Sequence, residues 1–298
     1  MKIRIGVGLG THTPTNDAAR FLPYVERVEA LGFDSLWLSE RLTGDAPDPL
    51  IALAVAAGRT TRVKLGTGVL VVPGRNPVVL AKELASLDRL SGGRLLPAVG
   101  LGAPSPAEHR AFGVTRGERS AWFDEAVPLL RRLWSEDDVH HDGARFRVEG
   151  VTLRPRPVQD PIEMWLGGTA PSELRRCGRL GDGWLPSFCT VEDVAEGWPV
   201  VTAEAAAHGR AIDPEHLGAL VAYSHVGVPD RVRALLAARR PDLDPAEVVP
   251  VGLDALRARL EGFIAVGASK FVVLPLEEPS DWDAELADVA AALLPLET

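Results

Sequence analysis

Short apolar, β-branched runs alternate with amphipathic helical segments along the whole chain, and this order limits the folds that it can adopt. Residues 3–9 form the first such run. In the segment 17–31 that follows, Phe21, Val25 and Val28 recur at spacings of 4 and 3, which indicates a helix. Strands separated by helices of about 10–15 residues predict βαβ units and a parallel sheet. Because such crossovers are right-handed, about eight of them close a barrel.

We therefore expect an α/β fold, a (β/α)8 TIM barrel with loop insertions at its C-terminal face. Strands are predicted at residues 3–9, 35–40, 63–72, 95–99, 162–166, 183–186, 217–226 and 270–276. Helices are predicted at residues 17–31, 49–59, 76–90, 118–134, 171–180, 192–208, 229–239, 253–266 and 281–294. A hairpin turn at residues 141–145 and a Pro-rich connector at residues 154–157 interrupt the alternation.

A doubly wound dinucleotide-binding sheet is disfavoured. That fold needs the pattern G-x-G-x-x-G after its first strand, and here Thr11 stands where the third glycine would fall. The 298 residues contain no internal repeat, low-complexity tract or linker, and barrels of this length are commonly one domain. We expect a single domain over residues 1–298.

Charge and composition exclude several classes of function. The net charge of −9 argues against binding to nucleic acids or anionic membranes. The absence of a long apolar stretch and of a leader pattern predicts a cytoplasmic protein. The two cysteines, Cys177 and Cys189, are expected to be reduced thiols, with Cys177 packed as a small apolar side chain. Abundant Ala, Gly, Pro and Arg, with few lysines, are typical of a high-GC bacterial source.

In a barrel, functional residues lie where the strands end at the C-terminal face. The candidate residues at these ends are Ser39, Glu40, Arg41, Thr67, Gly68, Val69, Gly100, Leu101, Gly102, Gly167, Gly168 and Thr169.

The segment that begins at Gly167 opens a helix, so its two glycines and the free N–H groups of the helix N-terminus suit a phosphate. A simple turn capped by Thr169 or Ser172 explains the same residues. Glycines at 100 and 102 would let a flat ligand lie against the backbone, and a tight βα turn is the alternative. Gly66 and Gly68 within the third strand indicate either a close approach of a ligand or room for a neighbouring side chain.

Several segments occur in an order that resembles the luciferase-like monooxygenase superfamily over essentially the whole chain. They are the residues 34–40, 65–69, 75–77, 87–95, 99–102, 153–159, 165–168 and 181–186, and the runs LDRLSGGRL and GDGWLP are the most specific. The resemblance implies a barrel that holds FMN or the deazaflavin F420 at its mouth. In the F420-using branch, it also implies a bulged third strand with a cis peptide bond behind the ring, here between Gly68 and Val69.

The sequence departs from the F420-dependent sugar-phosphate dehydrogenases of this superfamily at two positions. Arg41 replaces a histidine after the second strand, and Ala103 replaces a glutamate after the fourth. Both departures argue against oxidation of a sugar phosphate. Arg41 stays charged at neutral pH and suits an anionic substrate or a developing negative charge on the cofactor. Glu40 is expected either to orient Arg41 or only to brace the loop with it.

Further titratable residues follow the fourth strand and the hairpin. Glu108 and His109 open a short helix, and His109 is a candidate proton donor or a surface histidine. His140 and His141 are adjacent on a strand, so their side chains point to opposite faces, and we expect no metal site there. Arg75 and Arg94 are candidates for contact with cofactor phosphate or carboxylate groups, or are solvated.

The resemblance and the glycine pattern together predict an F420-dependent oxidoreductase that transfers a hydride to or from a small organic substrate. The alternative is an FMN-dependent monooxygenase that receives reduced flavin from a partner reductase. A barrel lyase or hydrolase for sugar phosphates is disfavoured because Lys270, its lysine candidate, begins its strand instead of ending it. The resemblance also implies a homodimer or a larger homo-oligomer.

Overall fold

The computed structural model describes residues 1–298, apart from the side chains of Thr13 and Arg239. The strands are β1 (Arg4–Gly10), β2 (Ser35–Leu38), β3 (Lys64–Val71), β4 (Leu95–Gly100), β5 (Val139–Asp142), β6 (Arg147–Val151), β7 (Trp165–Leu166), β8 (Gly183–Trp184), β9 (Gly218–Tyr223) and β10 (Lys270–Pro275). The α-helices are α1 (Ala18–Leu31), α2 (Pro49–Ala57), α3 (Pro77–Ser91), α4 (Pro106–Ala111), α5 (Arg119–Ser135), α6 (Pro171–Leu180), α7 (Val191–Ala207), α8 (Asp230–Arg239), α9 (Leu253–Ala265) and α10 (Trp282–Leu293). Short 3-10 helices lie at Thr13–Asn16, Pro214–His216, Pro245–Glu247 and Leu294–Leu296.

The described strands form a barrel, as the alternation predicts. Eight of them make one parallel sheet in the order β8-β7-β4-β3-β2-β1-β10-β9, and isolated parallel bridges from Trp184 to Leu217 and from Ser187 to Leu220 join its two edges. The antiparallel pair β5-β6 is the predicted hairpin and stands outside the barrel. Several expected strands are shorter in the structure. For example, Met164 donates to the Asp182 side chain before β7 begins, and β9 ends where a turn starts at Ser224.

The helix ends follow from local sequence chemistry. The side chains of Asp17, Asp48 and Asn76 accept hydrogen bonds from the first free N–H groups of α1, α2 and α3. Helix α1 stops at Gly32, whose φ of 99° is the left-handed conformation that glycine adopts at little cost. The expected C-cap at this glycine is therefore confirmed.

One carboxylate from each of the two most specific sequence motifs helps to hold the barrel wall together. The buried carboxylate of Asp88, in the LDRLSGGRL run, accepts hydrogen bonds from the backbone N–H groups of Val158 and Gln159 at 2.6 and 3.0 Å. Asp182, in the GDGWLP run, accepts from Met164 N and pairs with Arg131 at 2.6 Å. These motif carboxylates tie loops to strands, which is a structural role.

The apolar core has three parts, one of them a cluster around helix α8 that comprises Ala222, Val228, Val232, Leu236, Val248, Val249 and Leu276. A large cluster fills the space between the barrel and its helices, and it includes Cys177, which is fully buried and unpaired as expected. A smaller cluster, which we call the lumen cluster, consists of Trp37, Ala98, Trp165, Leu185 and Val272 and fills the inside of the barrel. Within the described part of the chain, no helix is long and apolar enough to cross a membrane.

Glycines on neighbouring strands make room for the two tryptophan rings. A Cβ atom at position 66 would lie 2.3 Å from Cδ2 of Trp37, and one at position 183 would lie 2.5 Å from Cδ2 of Trp165. Both distances are far below van der Waals contact. Packing therefore explains Gly66, the alternative that the sequence left open.

We expect Gly66→Ala to destabilise the fold, because the added methyl group would displace the Trp37 ring inside a closed barrel. Overpacking of this kind costs about 1–3 kcal/mol. The midpoint of urea denaturation measures the effect. Gly117→Ala is the matched control, since a Cβ atom there meets nothing within 4 Å. Equal midpoints for the two variants would contradict this packing.

Candidate active site

The third strand bulges where it reaches the C-terminal face. The register between β3 and β4 shifts between Gly68 and Leu70, and the Gly68–Val69 peptide bond is cis. The bulge and the cis bond expected from the sequence are both confirmed. The Ser39 hydroxyl donates to the Gly68 carbonyl at 2.9 Å, and the Glu40 N–H donates to the Val69 carbonyl at 3.3 Å. The end of β2 thus holds the bulge in place.

The glycines after β4 face this bulge. A Cβ atom at position 100 would lie 2.9 Å from Cγ2 of Val69, and one at position 102 would lie 3.0 Å from Cγ1 of Val71. Gly102 also has a φ of 79°, which other residues rarely adopt. The turn therefore packs directly on β3, and the bulge and the turn together form a low wall of backbone and valine side chains at the barrel mouth.

Thr67 belongs to this wall and not to its exposed surface. Its side chain is fully buried, and its hydroxyl donates to the Ala98 carbonyl of β4 at 2.8 Å. The Thr67 hydroxyl is therefore used in a bond between two strands.

Glu40 pairs with Arg75 and not with Arg41, which corrects the sequence-based expectation. Its side chain is 1% exposed, forms an ion pair with Arg75, and accepts from Val71 N at 2.6 Å. Arg75 also reaches Asp48 at 3.2 Å. Burial raises the pKa of Glu40 above its ordinary value, although the Arg75 charge and the Val71 N–H act in the opposite direction. This network fixes β3 just beyond the bulge, so Glu40 is placed to position the site.

Glu108 holds the loop that carries Arg41. Its buried carboxylate accepts from the N–H groups of Leu42 and Thr43 at 3.1 and 2.8 Å and from the Thr43 hydroxyl. Burial alone would raise the pKa of Glu108, but these hydrogen bonds and the nearby Arg41 charge lower it below its ordinary value. The Glu108 carboxylate is thus committed to holding this loop.

The Arg41 side chain and the Nε2 atom of His109 have no described hydrogen-bond partner in the protein. Arg41 is exposed beyond the end of β2, where its charge acts on Glu108. The Nε2 atom of His109 is buried and has no hydrogen-bond partner among the described atoms. Arg41 is therefore exposed to solvent, whereas the unpartnered His109 nitrogen is enclosed by protein.

The expected phosphate site at the N-terminus of α6 is partly filled by the protein itself. The Glu173 carboxylate accepts hydrogen bonds from the N–H groups of Thr169 and Ala170, both at 3.1 Å. A Cβ atom at position 168 would lie 2.4 Å from the same carboxylate, which explains this glycine. An anion at this helix end would have to compete with Glu173.

Two candidates were missed by sequence reasoning. Arg119, at the start of α5, is buried, and its guanidinium donates to the carbonyls of Leu101 and Gly102 at 3.1 Å, while its Nε atom has no described partner. Its described hydrogen bonds all go to carbonyl oxygens, so its charge is left without a bound carboxylate. His12 follows β1 and contacts Glu278 and the Pro275 carbonyl. The sequence marked these two residues only by position, Arg119 at the start of a helix and His12 after a strand.

Two further residues that the sequence singles out, Arg94 and His141, make structural contacts. Arg94 lies at the N-terminal end of the barrel, where it donates to the carbonyls of Ala57, Thr60, Val63 and Ser91, so it does not face the cofactor. His141 pairs with Glu125 at 3.0 Å on the hairpin, which leaves it a structural role.

We expect Glu108→Gln to weaken the fold at neutral pH, because the Leu42 and Thr43 N–H groups lose a charged acceptor worth about 1.5–3 kcal/mol. A carboxylate with a lowered pKa stabilises the fold above its unfolded pKa of about 4.3 and loses that contribution as the pH falls through its folded value. The difference between the variant and the parent should therefore shrink in acid. Urea denaturation at neutral pH and at a pH below the folded pKa of Glu108 measures this difference in stability. The exposed Glu149→Gln is the control. A difference that is constant with pH would contradict the role.

Known proteins resemble this chain in sequence and in fold. An F420-dependent glucose-6-phosphate dehydrogenase from Kineococcus radiotolerans is 35% identical over 172 residues, which are 54% of this chain and 50% of that protein, so the match spans about half the length of the relative. The structure of the monooxygenase RslO1 from Streptomyces bottropensis superposes with a TM-score of 0.79 at 27% identity, covering 99% of both chains. An F420-dependent secondary alcohol dehydrogenase with an F420-acetone adduct has a TM-score of 0.81 at 19% identity over the full length of both chains, a likeness in fold. Because the model of the luciferase-like monooxygenase family also matches residues 1–295, this chain belongs to that family.

Proposed function

We propose that this chain is an F420-dependent oxidoreductase that transfers a hydride between the deazaflavin and a small organic substrate. The observation that carries the proposal is the bulge at Gly68–Val69, which faces the glycine turn 100–102 at the barrel mouth. A planar ring can lie against such a wall of backbone and valine atoms. The family membership and the name of the Kineococcus radiotolerans relative support the same cofactor.

The charges of the site fit an anionic cofactor. Arg119 is buried behind the turn 100–102, and its Nε atom lacks a described partner. Its neighbour Arg116 adds a second positive charge, which lowers the pKa of Arg119 together with the larger effect of burial. The phosphate and carboxylate groups of F420 would offset both charges. Gly167, Gly168 and Thr169 are then a second contact for the phosphate, provided that Glu173 gives way.

The chain's own residues prepare the site for hydride transfer in three ways. When bound, F420 supplies the hydride-accepting carbon, and the protein supplies position and electrostatics. Ser39 and Glu40 hold the bulge against which the ring would rest. Glu108 orders the loop that presents Arg41 to an anionic group of the substrate. His109 would exchange a proton with the substrate through its unpartnered Nε2 atom once a movement of the side chain exposes that atom, which is enclosed by protein.

The alternative is an FMN-dependent monooxygenase that takes reduced flavin from a partner reductase. The likeness to the monooxygenase RslO1 over 99% of the chain is the observation that favours it. Both cofactors present a flat tricyclic ring, so the wall at the barrel mouth accepts either. The choice between F420 and FMN must therefore depend on contacts to the cofactor tail and on the loops that bind the substrate.

We expect the apo-protein to bind F420 at least about tenfold more tightly than FMN, a difference of about 1.4 kcal/mol. The physical reason is the pair of uncompensated arginines, which favours the longer anionic tail. Parallel fluorescence titrations with the two cofactors measure both dissociation constants. Tight binding of FMN without binding of F420 would replace the proposal by its alternative.

A pair of glycine variants locates the binding site in the same titration. Gly100→Ala pushes the Val69 side chain out of place and should weaken the binding of F420, whereas Gly117→Ala meets no atom within 4 Å and should leave it unchanged. Equal affinities for the two variants would place the cofactor elsewhere on the protein.

Arg41→Ala should lower kcat/KM by about 10²-fold or more, because the loss of a desolvated charged contact in the transition state costs about 3 kcal/mol. Arg41→Lys should recover part of the loss, since a point charge does not reproduce the planar guanidinium. Steady-state kinetics and a melting curve for each variant measure both effects. The exposed Arg20→Ala is the control. Unchanged kinetics with a lowered melting temperature would assign Arg41 to the scaffold.

A further inference from the structure

One buried arginine holds the turn that follows β4. Arg119 is the first residue of α5 and is 9% exposed. Its Nη1 atom donates to the carbonyls of Leu101 and Gly102, each at 3.1 Å, and lies 3.4 Å from the carbonyl of Ala103. Three successive carbonyl groups therefore face one guanidinium group, which fixes the direction of the peptide groups in the turn.

The direction of these carbonyls also sets the direction of two N–H groups. The peptide bonds from 101 to 103 are not among the cis bonds of the chain, so in each of them the N–H points away from the carbonyl. The N–H groups of Gly102 and Ala103 therefore point away from Arg119. Helix α5 packs on the outside of the barrel, because its buried side chains join the large cluster between the sheet and the helices. Away from Arg119 is thus toward the barrel mouth.

These two N–H groups have no acceptor within the protein. Neither the Gly102 N–H nor the Ala103 N–H donates to an atom of the described chain, and both residues are half-buried. The other glycine turn at this face is different, since the N–H groups of Thr169 and Ala170 both donate to the Glu173 carboxylate. Of the two turns, the one after β4 leaves its pair of donors for an anionic oxygen from outside the chain.

The positive charge behind this turn is not cancelled by a carboxylate. The described hydrogen bonds of Arg119 all go to neutral carbonyl oxygens, and the charged group that acts on it is a second cation, Arg116. A cation that binds a peptide carbonyl polarises the whole peptide unit and makes its N–H a stronger donor. The N–H groups of Gly102 and Ala103 therefore carry part of this charge to the barrel mouth.

We propose that Arg119 is a positioning residue, which directs the N–H groups of Gly102 and Ala103 toward an anionic oxygen of the bound cofactor. The inference rests on the proposed function. The oxygen is either a phosphate oxygen of the tail or a carbonyl oxygen of the ring, which shares the negative charge that a hydride adds until the ring takes up a proton from water. Fixed N–H donors stabilise such charge without rearranging during the reaction.

A matched pair of buried arginines separates this role from a purely structural one. Arg94 also donates to backbone carbonyls, but at the N-terminal end of the barrel. Arg119→Gln and Arg94→Gln should both lower the midpoint of urea denaturation, since each removes hydrogen bonds of a charged donor. Only Arg119→Gln should also weaken cofactor binding, by about tenfold or more. If Arg119→Gln does not fold, the milder pair Arg119→Lys and Arg94→Lys gives the same comparison.

Anaerobic titrations with oxidised and with reduced F420, followed by the quenching of tryptophan fluorescence, identify the oxygen. A loss confined to the reduced form assigns it to the ring, and an equal loss in both forms assigns it to the phosphate. If the parent binds FMN and not F420, the proposed function fails, but FMN has a ring carbonyl and a phosphate too and serves as the probe in the same comparison. Equal dissociation constants for the Arg119 and Arg94 variants in both redox states would overturn the inference.

Discussion

The packing of two tryptophans inside the barrel is the constraint on which both ends of the molecule depend. Trp37 fits only because Gly66 lies across from it, and its ring reaches upward so that Cε3 would lie 3.8 Å from a Cβ atom at position 68. The same ring, with Trp165, lines a cavity at the N-terminal end of the barrel. One layer of side chains therefore supports the bulge at Gly68 from beneath and separates the two ends of the barrel interior. A barrel of this kind is a filled core and not a pore.

Two carboxylates at the C-terminal face, those of Glu40 and Glu108, hold backbone segments in place. Glu40 binds Val71 N and Arg75, and Glu108 binds the N–H groups of Leu42 and Thr43. A buried carboxylate that accepts several N–H bonds cannot also exchange protons freely, because every protonation would break a contact. Among the sequence candidates at this face, the side chain of Arg41 and the enclosed Nε2 atom of His109 have no described hydrogen-bond partner.

Periodicity predicted most of the fold because it depends on local patterns. Helices and strands came within a few residues of their observed bounds, and the deviations have local causes, such as the Met164 N–H that binds Asp182 before β7 begins. The bulge at Gly68 was also predicted, although from a family resemblance and not from periodicity. The partner of Glu40 was not predictable, since Arg41 is adjacent in sequence and Arg75 becomes a neighbour only when β2 and β3 pair. Likewise, no sequence pattern marked Arg119, because the carbonyls that it binds belong to a separate segment of the chain.

The motifs that identify the family do little of the binding themselves. Asp88 and Asp182, from its two most specific runs, tie loops to the barrel wall at distances of 2.6–3.0 Å. A motif of this kind persists with the fold whatever the substrate, so it predicts architecture well and substrate poorly. The residues that touch ligands lie instead on the turns after the strands, where a side chain can change without disturbing the barrel. For this chain, the exposed Arg41 and the turn at residues 100–102 are the positions on such turns that the proposed site uses.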